Sequence, residues 1–224
     1  METQTWLFEL EGEHRDLETI VELFGDCNQL LPAEGKWLLL TTLPSSMGAP
    51  DVRVVAGERL ARFNASAQVT YGNHENVRLG AMSCVDPSGG PATQFISATG
   101  IAGQSRVGGG KLIADRLLAA ADKDEYFDRA LYLFGVVPHD WRGLSVVLDV
   151  GKEGNGKERG LIAKGWVPGS SIVDFRETAN SFRAVGHQAR HGGVKTGVPH
   201  ASQSLEEARA MIRTILEKWA RDLA

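Results

Sequence analysis

From residue 178 to residue 205 the chain runs for 28 positions without an acidic side chain, yet it carries Arg183, Arg190, Lys195 and three of its six histidines. Arginine and histidine are the residue types that grip phosphate or carboxylate oxygens through charge-assisted hydrogen bonds. Read as a helix of 3.6 residues per turn, Asn180, Arg183, His187, Arg190 and His191 share one face, with Phe182, Val185 and Ala189 opposite. These five are the candidate ligand-binding residues, for an anion or a partner surface. Arg183 with His187 or His191 is also the candidate catalytic set, because metal-independent RNA cleavage can use histidine as acid or base and arginine to stabilise charge on phosphorus.

His187 and His191 stand four apart, the spacing that lets two imidazoles meet one metal ion. Gln188 occupies the place where a metalloprotease pattern needs a glutamate base, and Arg183 and Arg190 repel a cation, so no metal is assigned. No cofactor is called for either. The glycine-rich run 103–111 has Gly109 after Gly108 and Leu112 after Lys111, which breaks the phosphate-loop register and reads as a linker. No Ser-His-Asp or Cys-His set emerges. Two local features compete with a continuous helix over 180–191. Gly186 lowers helicity by about 1 kcal/mol relative to alanine, and Asn180 and Ser181 are good caps, so a break at Asn180 with a restart near Ser181 stands beside the single helix. A plain amphipathic surface helix is the bland reading of the same pattern.

The elements that must position these residues follow from periodicity. Strand patterns cover 6–10 and 36–42, and helical patterns cover 16–24 and 52–67. Two further strands, 77–85 and 94–98, are joined by a long turn. This gives an N-terminal α+β unit of order β-α-β-α-β-β over 1–105, with a boundary in the Gly-rich stretch 100–110. Residues 106–224 read as a helical bundle. Helices are expected at 112–121 and 124–134, then one opening at Pro138 and stopped by Gly151, with an exposed loop over 151–160. Shorter helices follow near 161–166 and from Ser170. Ser204 and Glu207 form a capping box ahead of Leu205, Ala208, Ile212, Ile215, Leu216 and Trp219, which marks a long final helix. His139-Asp140-Trp141-Arg142 opens a helix, with Asp140 at its positive end and Trp141 inward, whereas His14 and His74 read as surface residues in loops.

The formal net charge is −4, but residues 1–105 hold 6 basic and 13 acidic side chains, whereas 106–224 hold 18 and 15. The C-terminal half thus tolerates an anionic partner without the strong basic footprint of a nucleic-acid-binding domain. No apolar run reaches membrane-spanning length and no signal peptide pattern opens the chain. Cys27 and Cys84 lack metal or redox spacing and read as small core residues, so a reduced, cytoplasmic protein is expected.

From about Asp128 onward, the motifs Thr178-Ala179-Asn180-Ser181, Ala189-Arg190-His191 and Ser204-Leu205-Glu206-Glu207-Ala208-Arg209 resemble those of a recurrent group of uncharacterised bacterial proteins. That likeness covers roughly the last 100 residues and implies no activity. The helical half is also similar, more weakly, to HEPN ribonuclease domains, in which four to six residues separate an arginine from a histidine before the final helix. Here three residues separate Arg183 from His187 and seven separate Arg183 from His191. The sequence therefore favours a non-enzymatic binding or interaction protein with an anion- or partner-facing polar helix at 180–191, capable of forming a homo-oligomer. The alternative is a HEPN-like ribonuclease using Arg183 and His187 or His191.

Overall fold

The computed structural model describes residues 2–25, 30–33, 35–85, 110–190, 199 and 201–224. The chain divides into two compact units, Met1–Ala114 and Asp115–Ala224. Most of the 100–110 linker, the expected strand 94–98, Cys27 and His191 lie outside the described residues.

The protein is α+β. In the first unit, β1 (Thr3–Glu11), β2 (Leu30–Ala33), β3 (Lys36–Pro44) and β4 (Arg78–Val85) form an antiparallel sheet of order β2-β3-β1-β4. Strand alternation sends Phe8 and Leu10 of β1 inward, and Phe8 faces Leu39 of β3 across the ladder. Helices α1 (His14–Phe24) and α2 (Ala49–Tyr71) supply the apolar partners. Ile20, Leu23 and Phe24 are fully buried, and Phe24 stacks on Phe63 at 4.3 Å between ring centroids. Helix α2 runs past the expected end at residue 67, because Asn64 is buried and bonded within it rather than acting as a cap, and Gly72 closes it at φ +78°. The short β2 is an element that the periodicity does not signal. It is four residues long with Pro32 inside, and as the outermost described strand on its side it tolerates a proline. Cys84 is exposed rather than a core thiol, and its sulfur accepts a hydrogen bond from Gln4 Nε2 at 2.8 Å.

After α3 (Gly110–Ala121), the second unit contains α4 (Glu125–Val136), α5 (Trp141–Gly154), α6 (Lys157–Ala163), α7 (Gly169–Asn180), α8 (Phe182–Val185) and α9 (Leu205–Leu223). Its core joins Phe127, Leu131 and Phe134 of α4 to Leu144 and Leu148 of α5, Phe175 of α7 and the Ile212-Ile215-Leu216-Trp219 stripe of α9. Asp124 and Asp140 cap α4 and α5 by accepting from Phe127 N at 2.7 Å and Gly143 N at 2.8 Å. The expected stop at Gly151 and loop over 151–160 are corrected. Helix α5 continues to Gly154 and α6 begins at Lys157, because these glycines sit where α5 meets α9 and are favoured by packing rather than by chain reversal. A Cβ on Gly154 would lie 2.9 Å from the Trp219 ring and 2.7 Å from Tyr126 Cβ. Helix α9 carries the complete capping box, with Ser204 Oγ accepting from Glu207 N and Glu207 Oε2 accepting from Ser204 N at 2.8 Å. No helix among the described residues is long and apolar enough to cross a membrane.

Candidate functional site

The stretch that follows α7 is not one helix. Ser181 adopts φ −90° and ψ 106°, ending α7 and capping the single turn of α8 by accepting from Ala184 N at 3.3 Å. Gly186 then takes φ +59° and ψ −136°, a conformation that side chains strongly disfavour, and leads into a 3-10 turn, Gly186–Gln188. The chain doubles back so that Arg190 N donates to Ala179 O at 2.8 Å. The continuous polar helix expected over 180–191 is therefore corrected. Two caps and one left-handed glycine outweigh its periodicity, and Asn180, Arg183, His187 and Arg190 do not share a face.

Their fates diverge. Arg190 is turned back onto α5, where Nη2 lies 2.6 Å from Asp149 Oδ2 and Nη1 donates to Oδ1 at 3.4 Å. Asp149 also lies 3.7 Å from Lys152, which reaches Glu158 at 3.3 Å, and Glu158 pairs with Arg176. Asn180 borders the same crevice, whose free volume is about 10 Å³, room for no more than a water molecule. Arg190 thus belongs to a charge network that ties α5, α6 and α7 together, and Asn180 lines the crevice beside it. Arg183 and His187 are exposed. The His187 ring meets only Phe182, edge-on at 5.4 Å, and no hydrogen bond among the described residues orients it. His191 is outside the described residues.

Arg142, at the first turn of α5, is a site residue that the sequence pattern misses. Its Nη2 donates to His187 O at 2.7 Å and its Nε to Ala189 O at 3.1 Å, so it holds the returning segment by its carbonyls. Its signal in the sequence is slight, since it stands 41 residues before Arg183 and outside the acid-free window. The guanidinium charge remains unneutralised, because Arg142, Arg183 and His187 make no ion pair with any described carboxylate. Next to it, His139 Nε2 donates to Phe134 O at 2.7 Å, and its ring stacks on Phe134. Burial lowers the His139 pKa below the usual imidazole value, the Phe134 carbonyl opposes that, and Arg209 and Arg213 lower it further.

Two other polar features stand apart. In the first unit, His74, expected at the surface, is buried with Asp16 and Asn64. Asn64 exchanges hydrogen bonds with the Val77 backbone, Nδ2 to Val77 O at 2.8 Å and Val77 N to Oδ1 at 3.0 Å, which fixes its amide. Its oxygen therefore faces His74 Nε2 at 3.1 Å, and that nitrogen carries a proton. His74 Nδ1 lies 3.3 Å from Asp16 Oδ1. Burial dominates and lowers the His74 pKa to about 4, against the attraction of Asp16. In the second unit, a groove of about 540 Å³ opens between the turn preceding α7, α7 and α9, bordered by Trp166, Asp174, Gln203, Glu207, Met211 and Lys218. Among the described residues, no group of three or more His, Cys, Asp and Glu could hold a metal ion.

Compared with known proteins, the chain matches no family model, no curated protein and no solved structure.

Proposed function

We propose that this is a non-enzymatic binding protein whose second unit engages an anionic partner through Arg142, Arg183 and His187. The observation that carries the reading is the unneutralised charge on that edge. Every other basic group of the neighbouring network, Lys152, Arg176 and Arg190, is paired with a carboxylate. Guanidinium groups without an internal counter-ion attract phosphate or carboxylate oxygens, and exposure leaves them accessible. As part of the same reading, the protein works in a bacterial cytoplasm, either alone or as a homo-oligomer.

Fluorescence anisotropy with a labelled RNA oligonucleotide and with inorganic polyphosphate, each over a salt series in EDTA, tests this. Arg183→Glu is expected to weaken binding and to lower the salt slope by about 1 per lost phosphate contact. Arg190→Ala is expected to leave the affinity unchanged. Binding indifferent to Arg183→Glu and His187→Ala together, in folded protein, would remove the site assignment. RNA cleavage that stops in His187→Ala would instead favour the ribonuclease alternative.

A further inference from the structure

The Arg142 guanidinium has two edges, and the chain itself uses one of them. Nε–H and the adjacent Nη2–H lie side by side in the guanidinium plane, and this pair donates to Ala189 O at 3.1 Å and to His187 O at 2.7 Å. Nη1 makes no hydrogen bond or ion pair among the described residues, and Arg142 is exposed. The other edge, formed by Nη1 and the remaining Nη2 hydrogen, is therefore open to an oxyanion. Asp140, the nearest acid in sequence, is engaged as the cap of α5, accepting from Gly143 N at 2.8 Å. Among the described residues, the hydrogen bonds that tie 182–189 to another helix beyond its own turns all come from Arg142. The others are local, from Ala184 N and Val185 N to Ser181 O and from Ala189 N to Gly186 O. At the bend itself, no neighbour lies within 4 Å of a Cβ built on Gly186, so nothing braces it there.

The two edges belong to one rigid plane, so whatever fixes one fixes the other. His187, whose carbonyl Arg142 holds, also carries one of the three anion-facing side chains, and Arg183 lies on the same excursion. We infer that Arg142 couples anion binding at its outer edge to the ordering of residues 182–189 at its inner edge. The inference rests on the reading of Arg142, Arg183 and His187 as an anion site. The coupling is reciprocal: the anion orders the excursion, and an ordered excursion raises the affinity by the same factor. Arg142 is thus a positioning residue as well as a ligand-binding one. Lysine at 142 would keep the charge but has no planar fork with which to hold two carbonyls.

Amide hydrogen exchange of the full chain, read by mass spectrometry over 182–189 with and without inorganic polyphosphate, tests the coupling without any variant. Polyphosphate is expected to slow exchange there severalfold in the wild-type protein. In Arg142→Lys, exchange is expected to be faster from the outset and to stay fast even at saturating polyphosphate. The affinity of that variant is expected to fall about tenfold, the scale of one charge-assisted hydrogen bond. Its salt slope should be unchanged, because the charge is retained. A purely structural tether would leave both the affinity and the response to polyphosphate as in the wild type. Polyphosphate that binds the wild-type protein but leaves exchange over 182–189 unaltered overturns the coupling alone, as does Arg142→Lys with wild-type affinity and wild-type exchange. Polyphosphate that does not bind the wild-type protein overturns the anion site and the coupling together.

Discussion

Arg183 and Arg190 are seven residues apart in a window with no acids, yet their surroundings give them opposite roles. Arg190 meets both oxygens of Asp149, and the pair is half-exposed, so its attraction is partly screened by water. A double-mutant cycle over Arg190→Ala and Asp149→Ala is expected to give a coupling of about 1 kcal/mol in urea unfolding, the upper range for exposed pairs because the geometry is two-pronged. Coupling near zero would mean that the pair only decorates the surface. Arg183→Ala, by contrast, is expected to leave the unfolding midpoint unchanged. Composition reveals that both residues lack a local acid. It does not reveal that Asp149, 41 positions upstream, is brought back to Arg190 by the fold. His74 follows the same logic. The Gly-Asn-His-Glu-Asn context looks like loop surface, but Asn64 and Asp16 supply partners from two separate helices.

At the scale of elements, the boundary between α7 and α8 decides the site. Ser181 and Gly186 both have left-handed or capping uses that a helical wheel ignores, and the structure takes both. Gly186→Ala is expected to destabilise the protein by about 1–3 kcal/mol by thermal or urea unfolding, because φ +59° with ψ −136° is nearly exclusive to glycine. No neighbour lies within 4 Å of a Cβ built there, so the loss would be backbone strain rather than crowding. Elements with strong local signals were legible in the chain: the capping box and apolar stripe fix α9, and Asp124 and Asp140 mark the starts of α4 and α5. Elements set by tertiary packing were not. Strand β2 has four residues and a proline, so it exists only because β3 offers a ladder edge. The extension of α5 through Gly151 depends on Trp219, which lies far along the sequence. The candidate face failed for a related reason. Its periodicity was genuine, but periodicity places side chains only where the backbone stays helical.

At the scale of the whole molecule, among the described residues each unit holds one histidine whose pKa is lowered by burial, His74 in the first and His139 in the second. In the unfolded chain both titrate near the ordinary imidazole value of about 6.5. Below that pH the unfolded state binds more protons than the folded one, so stability falls as the pH drops. The stabilising difference is present above about 6.5 and for His74 is lost as the pH falls toward about 4. For His74 this is of the order of 3 kcal/mol. Urea unfolding at pH 7.5, 6 and 5 should show the midpoint falling stepwise, with a shallower fall in His74→Gln. A midpoint independent of pH over that range would mean that the imidazole remains hydrated.

The hydrogen bond from Arg190 N to Ala179 O, with the Arg190–Asp149 pair beside it, pins the base of the excursion between them. The closure entropy of such a loop grows only logarithmically with length, by about 0.6 kcal/mol per doubling. Because Arg142 anchors the returning limb at His187 and Ala189, the exposed tip at Arg183 and Ala184 can be lengthened without disturbing either anchor. A reporter or an epitope spliced in there would keep both anchors but would break the Ser181 cap and cover the edge that carries Arg183 and His187.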